Sequence, residues 1–262
     1  MMTGMEPYRF YASTGQGTAL KGLFECLREN LLDETIVCTS AGMQLVAVNS
    51  SRNAMVSLQM LAQQFDVYHC TSKTLLGIFL ANMVRLFKNC TSSDTVTLAI
   101  LERDITNLHL TFQNTERVTK FSLRLLDLPE RVIDLPARTF STVISCAASD
   151  MQKLISNMSA IAETVEIKST DDGIELQATG DFCTQTTTLL ERDTSNHVIK
   201  QNGDESDSFG TYSLKALSVF CKASCISSTV DLHLKSDLLV LAYTVANLGR
   251  LAFLLGPTAE EM

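Results

Sequence analysis

The sequence predicts an α+β protein made of two duplicated domains, each of antiparallel sheet with two helices. Three observations predict it. The chain is self-similar at half its length: an offset of 131 residues places Leu20 on Met151, Leu23 on Leu154 and Leu27 on Met158, and "AGMQL" (41–45) on "DGIEL" (172–176). An offset of 134 then sets "LANMVRLFKN" (80–89) on "LKALSVFCKA" (214–223), with Val96 and Leu98 on Val230 and Leu232. Two long offsets that nearly agree mean a duplication with small loop changes, not a short-period solenoid. Second, four segments carry apolar residues at helical spacing. Third, most of the rest alternates apolar and polar and is rich in β-branched residues, as antiparallel strands are.

In order along the chain, Leu20, Leu23, Leu27 and Leu31 fall three or four apart and give the first helix its core-facing stripe. Leu80, Met83 and Phe87 do this for the second helix, Met151, Leu154 and Met158 for the third, and Leu214, Leu217 and Cys221 for the fourth. "TVTLAIL" (95–101) and "LHLTFQ" (108–113) read as strands. Between the copies, Pro129 and Pro136 in "LLDLPERVIDLPART" (125–139) leave no room for a helix, so this segment reads as an extended crossing. The domains are therefore expected at 1–124 and 141–262, joined by a linker over 125–140. Asp171 and Asp172 mark a hairpin turn and not an acid/base pair. The polar stretch 191–210 reads as an exposed loop with room for a short strand, and 238–256 as two buried strands around a turn at "ANLG".

Composition bounds the function. At 262 residues, 45% apolar and 19% charged, with 4 Pro and 12 Gly, the chain is globular. Its 21 basic and 29 acidic residues give a net charge of −8, which excludes wholesale coating of nucleic acid but not a local basic stripe. The opening "MMTGMEPYRFYASTGQ" is mixed and polar and has no secretory pattern, so the protein is expected to stay inside the cell. Asn247 and Arg250 break the most apolar stretch, so no membrane span is expected. The eight cysteines stand singly and the four histidines lie apart; reduced, buried thiols are expected, including Cys221 and Cys225 on one helical face, with no metal, cofactor or disulfide framework. No nucleophile elbow or phosphate-cradling glycine loop is present, and no enzyme is expected.

The basic residues are unevenly placed. Lys21 and Arg28, Arg85 and Lys88, Lys153, and Lys215 and Lys222 lie away from the four apolar stripes, seven of the 21 cations on the polar faces of short helices. Such a face reads either as solvated surface or as a surface turned to a polyanion. Acids are sparse there: Glu25 sits between Lys21 and Arg28, and the second and fourth helices have none. That one-sign character favours the polyanion.

At this point the residues match a family. "LKGLFECLRENL", "QQFDVYHC" after "NSSRNAMVSLQ", the linker "LLDLPERVIDLP", "SSTVDL" and "VANLGRLAFLLGP", in that order, resemble the eukaryotic-type DNA sliding clamp, the proliferating cell nuclear antigen family, over roughly residues 18–258. The resemblance implies a DNA-clamp fold assembled as a closed homotrimeric ring, helices lining the hole, in a divergent member that is cellular or viral. It further implies a processivity factor for a DNA polymerase that encircles double-stranded DNA without reading sequence. Such a clamp is opened by a clamp loader and docks replication and repair clients through a short helical motif with aromatic anchors. Its place would be the nucleus or a cytoplasmic viral replication site.

By the same resemblance, the seven helix cations face DNA. The ring closes between "TERVTKFSL" (115–123) of one chain and "DFCTQTTTLL" (181–190) of the next, with Arg117, Phe121, Met158, Ile161 and Phe182 as contact candidates. The client pocket falls on Val48, Arg52, Met55, Ile133, Leu135, Leu239, Leu254, Leu255 and Pro257. Taken as residues of one chain, these read equally as ordinary surface or core. Arg52 stands where a histidine is usual, Asn49 replaces an aspartate, Leu254 and Gly256 replace an aromatic and an alanine, and Ser156 and Asn157 leave the third helix with one cation. The competing reading is a clamp-fold interaction protein acting as a monomer or as a checkpoint-clamp-like hetero-trimer subunit; the helix cations favour the first.

Overall fold

The structure, a computed structural model, describes residues 8–49, 52–130, 140, 142–170, 173–190, 197–200, 209–235 and 237–258. The first half of the chain runs β1 (Tyr8–Thr14), α1 (Gly17–Asn30), β2 (Asp33–Thr39), β3 (Gly42–Val48), β4 (Ala54–Leu61), β5 (Val67–Cys70), β6 (Thr74–Phe79), α2 (Leu80–Phe87), β7 (Thr95–Leu101), β8 (Asp104–Gln113) and β9 (Val118–Arg124). The second runs β10 (Thr142–Ala147), α3 (Ala148–Ser159), β11 (Thr164–Thr170), β12 (Gly173–Thr179), β13 (Thr184–Leu190), β14 (His197–Lys200), β15 (Phe209–Ser213), α4 (Leu214–Phe220), β16 (Thr229–Lys235), β17 (Leu238–Val245) and β18 (Gly249–Leu255). The two halves match element for element.

Pairing repeats as well as order. In the first half β5-β1-β7-β8-β9 form one antiparallel run, and in the second β14-β10-β16-β17 follow the same order. Likewise β3-β2-β6 corresponds to β12-β11-β15. The duplication extends to single backbone positions. Gly42 and Gly173, which the first offset superposes, open equivalent strands with φ of +141° and +153°. A Cβ on either would lie 2.0 Å from a neighbouring strand's carbonyl, Met60 O or Leu189 O. Only glycine fits both the dihedral and the approach.

By contacts the chain divides into two compact units, 1–47 with 57–133 and 245–250, and 48–56 with 134–244 and 251–262. The division falls inside β4 and β18, which lie side by side in a sheet. In the first unit α1 buries Leu20, Leu23, Phe24 and Leu27 completely, and Phe87 packs tilted against Phe24 at 5.2 Å and edge-to-face with Phe112 at 5.0 Å. Each such side chain contributes about 1.5–3 kcal/mol when fully withdrawn from water. In the second unit α3 buries Met151, Ile155 and Met158, so Ile155 and not the half-buried Leu154 completes the stripe. Phe220 stacks on Phe253 at 4.7 Å.

Two expectations are corrected here. The fourth helix ends at Phe220 and continues as a 3₁₀ turn over Cys221–Cys225, which carries Lys222. In a 3₁₀ turn residues four apart are about 120° apart. Cys221 is therefore buried and Cys225 exposed, and the expected buried pair is absent. Cys183 is also exposed, whereas Cys26, Cys38, Cys90 and Cys146 are buried. Burial pushes the Cys146 and Cys221 thiols up to about 12, leaving them un-ionised and inert. The loop after Leu190 does hold a short strand, β14, paired with β10.

Candidate nucleic-acid and partner interfaces

The helix cations separate into two groups by the net charge of the helix that carries them. On α1, Lys21 Nζ donates to Lys88 O at the carboxyl end of α2 (2.9 Å), and Arg28 pairs with Glu29 (3.0 Å). On α3, Lys153 pairs with Asp150 at 3.4 Å. Sequence reading passed over Glu29, inside the first helix's window, and Asp150, just before the third's. With Glu25 they make α1 and α3 neutral overall. By contrast α2 with Lys88, and α4 with its 3₁₀ extension, carry Arg85, Lys88, Lys215 and Lys222 and no carboxylate, all four exposed. Exposed ion pairs are worth only about 0–1 kcal/mol, so the net field of a face matters more than any pair. That field is positive on α2 and α4.

Helix α3 makes a different surface. Beside α4 it lines a groove of about 440 Å³ with Ser149, Gln152, Ser156, Asn157, Ser159 and Ser218, flanked by Lys153 and Lys222. Ser224 Oγ donates to Gln152 Oε1 (2.7 Å), and the Ser159 and Ser218 hydroxyls lie 2.9 Å apart. Hydroxyls and amides meet phosphate oxygens as donors while adding no charge.

Strands β9 and β13 are edges: each ends its sheet, and along each the side chains alternate exposed and half-buried. Inside the chain, β18 lies beside β4, with Leu61 N–H donating to Leu248 O at 3.0 Å. By the duplication β9 is the counterpart of β18, and β13 of β4. The pairing that β18 makes with β4 is therefore the one left open at β9 and β13.

Among the contact candidates, Phe182 is 76% exposed, beside β13, while Phe121 on β9 is half-buried and edge-on to Phe112 at 5.8 Å. Ile161 is half-buried. Met158 is corrected: it is wholly buried in the core under α3 and unavailable to a partner. Arg117 is engaged in its own chain, donating to Asn89 O (2.9 Å) and pairing with Asp94 (3.1 Å). The Asp94 carboxylate has no exposed surface and also accepts from Thr91 N–H (2.8 Å), Thr91 Oγ1 (3.0 Å) and Asn114 Nδ2 (2.7 Å). These bonds, the Thr91 N–H first, hold its pKa below the ordinary carboxylate value. They also fix the Asn114–Arg117 turn that feeds β9.

Of the pocket candidates, Val48, Met55 and Leu254 are half-buried, and Arg52 and Pro257 exposed. Leu239 and Leu255 are corrected to core residues, each about 0–1% exposed. Strand parity explains Leu255, which shares the inward face of β18 with Leu251 and Phe253, while Leu254 takes the other. Ile133 and Leu135 lie outside the described residues, as do Asp171 and Asp172. A groove of about 680 Å³, with no signal in the sequence, lies between Leu75, Ile105 and Leu126, which are 38–55% exposed. As apolar residues in or beside strands they read as core. Among the described residues no cluster of three or more His, Cys, Asp and Glu is placed to hold a metal, and no helix is long and apolar enough to cross a membrane.

Comparison with known proteins agrees across the chain. Residues 9–132 match the family described as "Proliferating cell nuclear antigen, N-terminal domain", and residues 134–258 match its C-terminal domain family. The chain is 32% identical over 255 residues to the "Probable DNA polymerase sliding clamp 1" of Paramecium bursaria Chlorella virus 1, covering 95% of this chain and 96% of the viral protein. It is 27% identical over 247 residues to the "Proliferating cell nuclear antigen" of Chaetomium thermophilum, covering 92% and 95%.

Proposed function

The chain belongs to the proliferating cell nuclear antigen family, and from that premise we propose that it acts as a sliding clamp, a processivity factor for a DNA polymerase that encircles duplex DNA as a head-to-tail homotrimer. The open edges carry the assembly part of this reading. A β13 edge from one copy can meet the β9 edge of the next just as β4 meets β18 within a chain, so repetition of a contact already present closes the cycle. Phe182 and Phe121 stand at those edges.

In the ring, Arg85, Lys88, Lys215 and Lys222 meet phosphates from helical segments that carry no carboxylate, with Lys21, Arg28 and Lys153 contributing less because the helices that carry them are neutral overall. Contacts of this kind position the duplex without selecting sequence, and their salt-screened weakness permits sliding. A clamp loader opens the ring, and clients bearing a short helical motif with aromatic anchors dock against Val48, Met55, Ile133, Leu135, Leu254 and Pro257. The role is that of a platform without turnover, at a nuclear or viral site of replication. The field on α2 and α4, positive in a chain of net charge −8, favours this reading over a monomeric interaction protein.

The test is topological. Clamp loaded onto nicked circular plasmid is expected to stay bound through gel filtration and to leave at least about tenfold faster once the plasmid is cut, since a free end lets a ring slide off. Equal retention on circular and linear DNA would mean that the protein binds the side of the duplex.

A further inference from the structure

We propose that the turn between β3 and β4 reads carboxylates: Arg52 pairs with an acidic side chain of the peptides that dock beside it, so this clamp selects clients with Asp or Glu next to their apolar anchors. The inference rests on the docking reading above. Arg52 is exposed and adopts φ of +56°, the left-handed region that side-chain-bearing residues rarely enter. The turn holds it there. Arg52 N–H donates to Asn49 O (3.0 Å), and Asn49 N–H donates to Ala54 O (2.9 Å). Asn49 Oδ1 accepts from Asn53 N–H and Ala54 N–H, both at 3.2 Å, while its Nδ2 donates to Asn53 Oδ1 at 2.8 Å. A backbone outlier fixed from several sides is a feature that the surroundings maintain. The guanidinium is thereby projected from a set point.

Asn49 and Asn53 are amides, and among the described residues Arg52 has no ion-pair partner. Neighbouring chain supplies the rest of the site. Leu61 N–H on Leu248 O, with Gly249 against Gln59 and Met60, sets the start of β18 against the end of β4, so the end of β18 runs toward the start of β4. A Cβ on Gly256 would meet nothing within 4 Å, and Pro257 is exposed. Arg52 thus stands exposed in the turn that opens β4, at the end of the β4–β18 pair where Met55 and Leu254 are half-buried. A planar guanidinium forms two parallel hydrogen bonds to a carboxylate, a geometry that an amide or an ammonium cannot repeat.

The test uses labelled helical peptides with two aromatic anchors, identical except for Glu, Gln or Lys scanned through the positions flanking the anchors. Binding is read by fluorescence anisotropy on the full-length protein, its Arg52→Gln and Arg52→Glu variants, and Met55→Glu. At one position the wild type is expected to bind the Glu peptide about fivefold tighter than the Gln peptide, a gap that closes in high salt. Arg52→Gln should remove the preference and Arg52→Glu should turn it toward the Lys peptide. Met55→Glu should weaken every peptide. If Met55→Glu weakens all three but Glu, Gln and Lys peptides bind alike at every position, the charge reading is overturned and the docking reading stands. If no peptide binds the wild type, or Met55→Glu changes nothing, the docking reading itself is overturned.

Discussion

Replacing Arg85, Lys88, Lys215 and Lys222 together by Glu is expected to lower stimulation of a cognate polymerase on primed DNA by more than about tenfold while the oligomer's mass is unchanged. These four residues form the net positive part of the helical surface, on α2 and on α4 with its 3₁₀ turn. Each phosphate contact removed should also flatten the dependence of log affinity on log salt by about 0.9. The same logic predicts a contrast. Arg28→Gln or Lys153→Gln should cost threefold or less, because Glu29 and Asp150 already offset those cations. Undiminished stimulation by the fourfold variant would mean that DNA does not meet α2 and α4.

The second large effect is on stability and on the β9 edge. Asp94→Ala strips the carboxylate from Thr91, Asn114 and Arg117 and leaves their donors unmatched. A buried charge that accepts several hydrogen bonds contributes roughly 3 kcal/mol, discounted here because the Arg117 side chain is 46% exposed. Calorimetry should show a melting temperature lower by about 10 °C. The sign with pH follows from the depressed pKa. The carboxylate's contribution is complete above its unfolded value near 3.9 and disappears as pH falls through the lower folded value, so the loss occurs below about pH 4. The wild type should therefore lose stability there faster than Asp94→Ala, and the variant, its β9 turn loosened, should also dissociate more readily. An unchanged melting temperature would make the network incidental.

The duplication was legible in the sequence because it leaves marks at every level, from Gly42 and Gly173 to the repeated helical stripes. The location of the edges came from the family resemblance. What the sequence did not show depends on distance and on parity. The Asp94 network joins residues 89, 91, 94, 114 and 117 through folding of the chain, and no local pattern announces it. Arg117, an interface candidate from position alone, is held by its own chain for that reason. Met158, Leu239 and Leu255 were candidate contacts, yet a single step along a helix or strand decides whether an apolar residue faces core or solvent. Asp150 escaped notice because the charge of a helix face depends on where the helix begins.

Ring closure is the claim on which DNA encirclement depends, and the absolute mass of the purified protein across a dilution series tests it most directly. The open β9 and β13 edges predict a mass of three times 28.8 kDa, or 86.4 kDa, falling only at low protein concentration. A mass of 28.8 kDa at every concentration would contradict closure and leave the chain a monomeric factor or a subunit of a mixed ring.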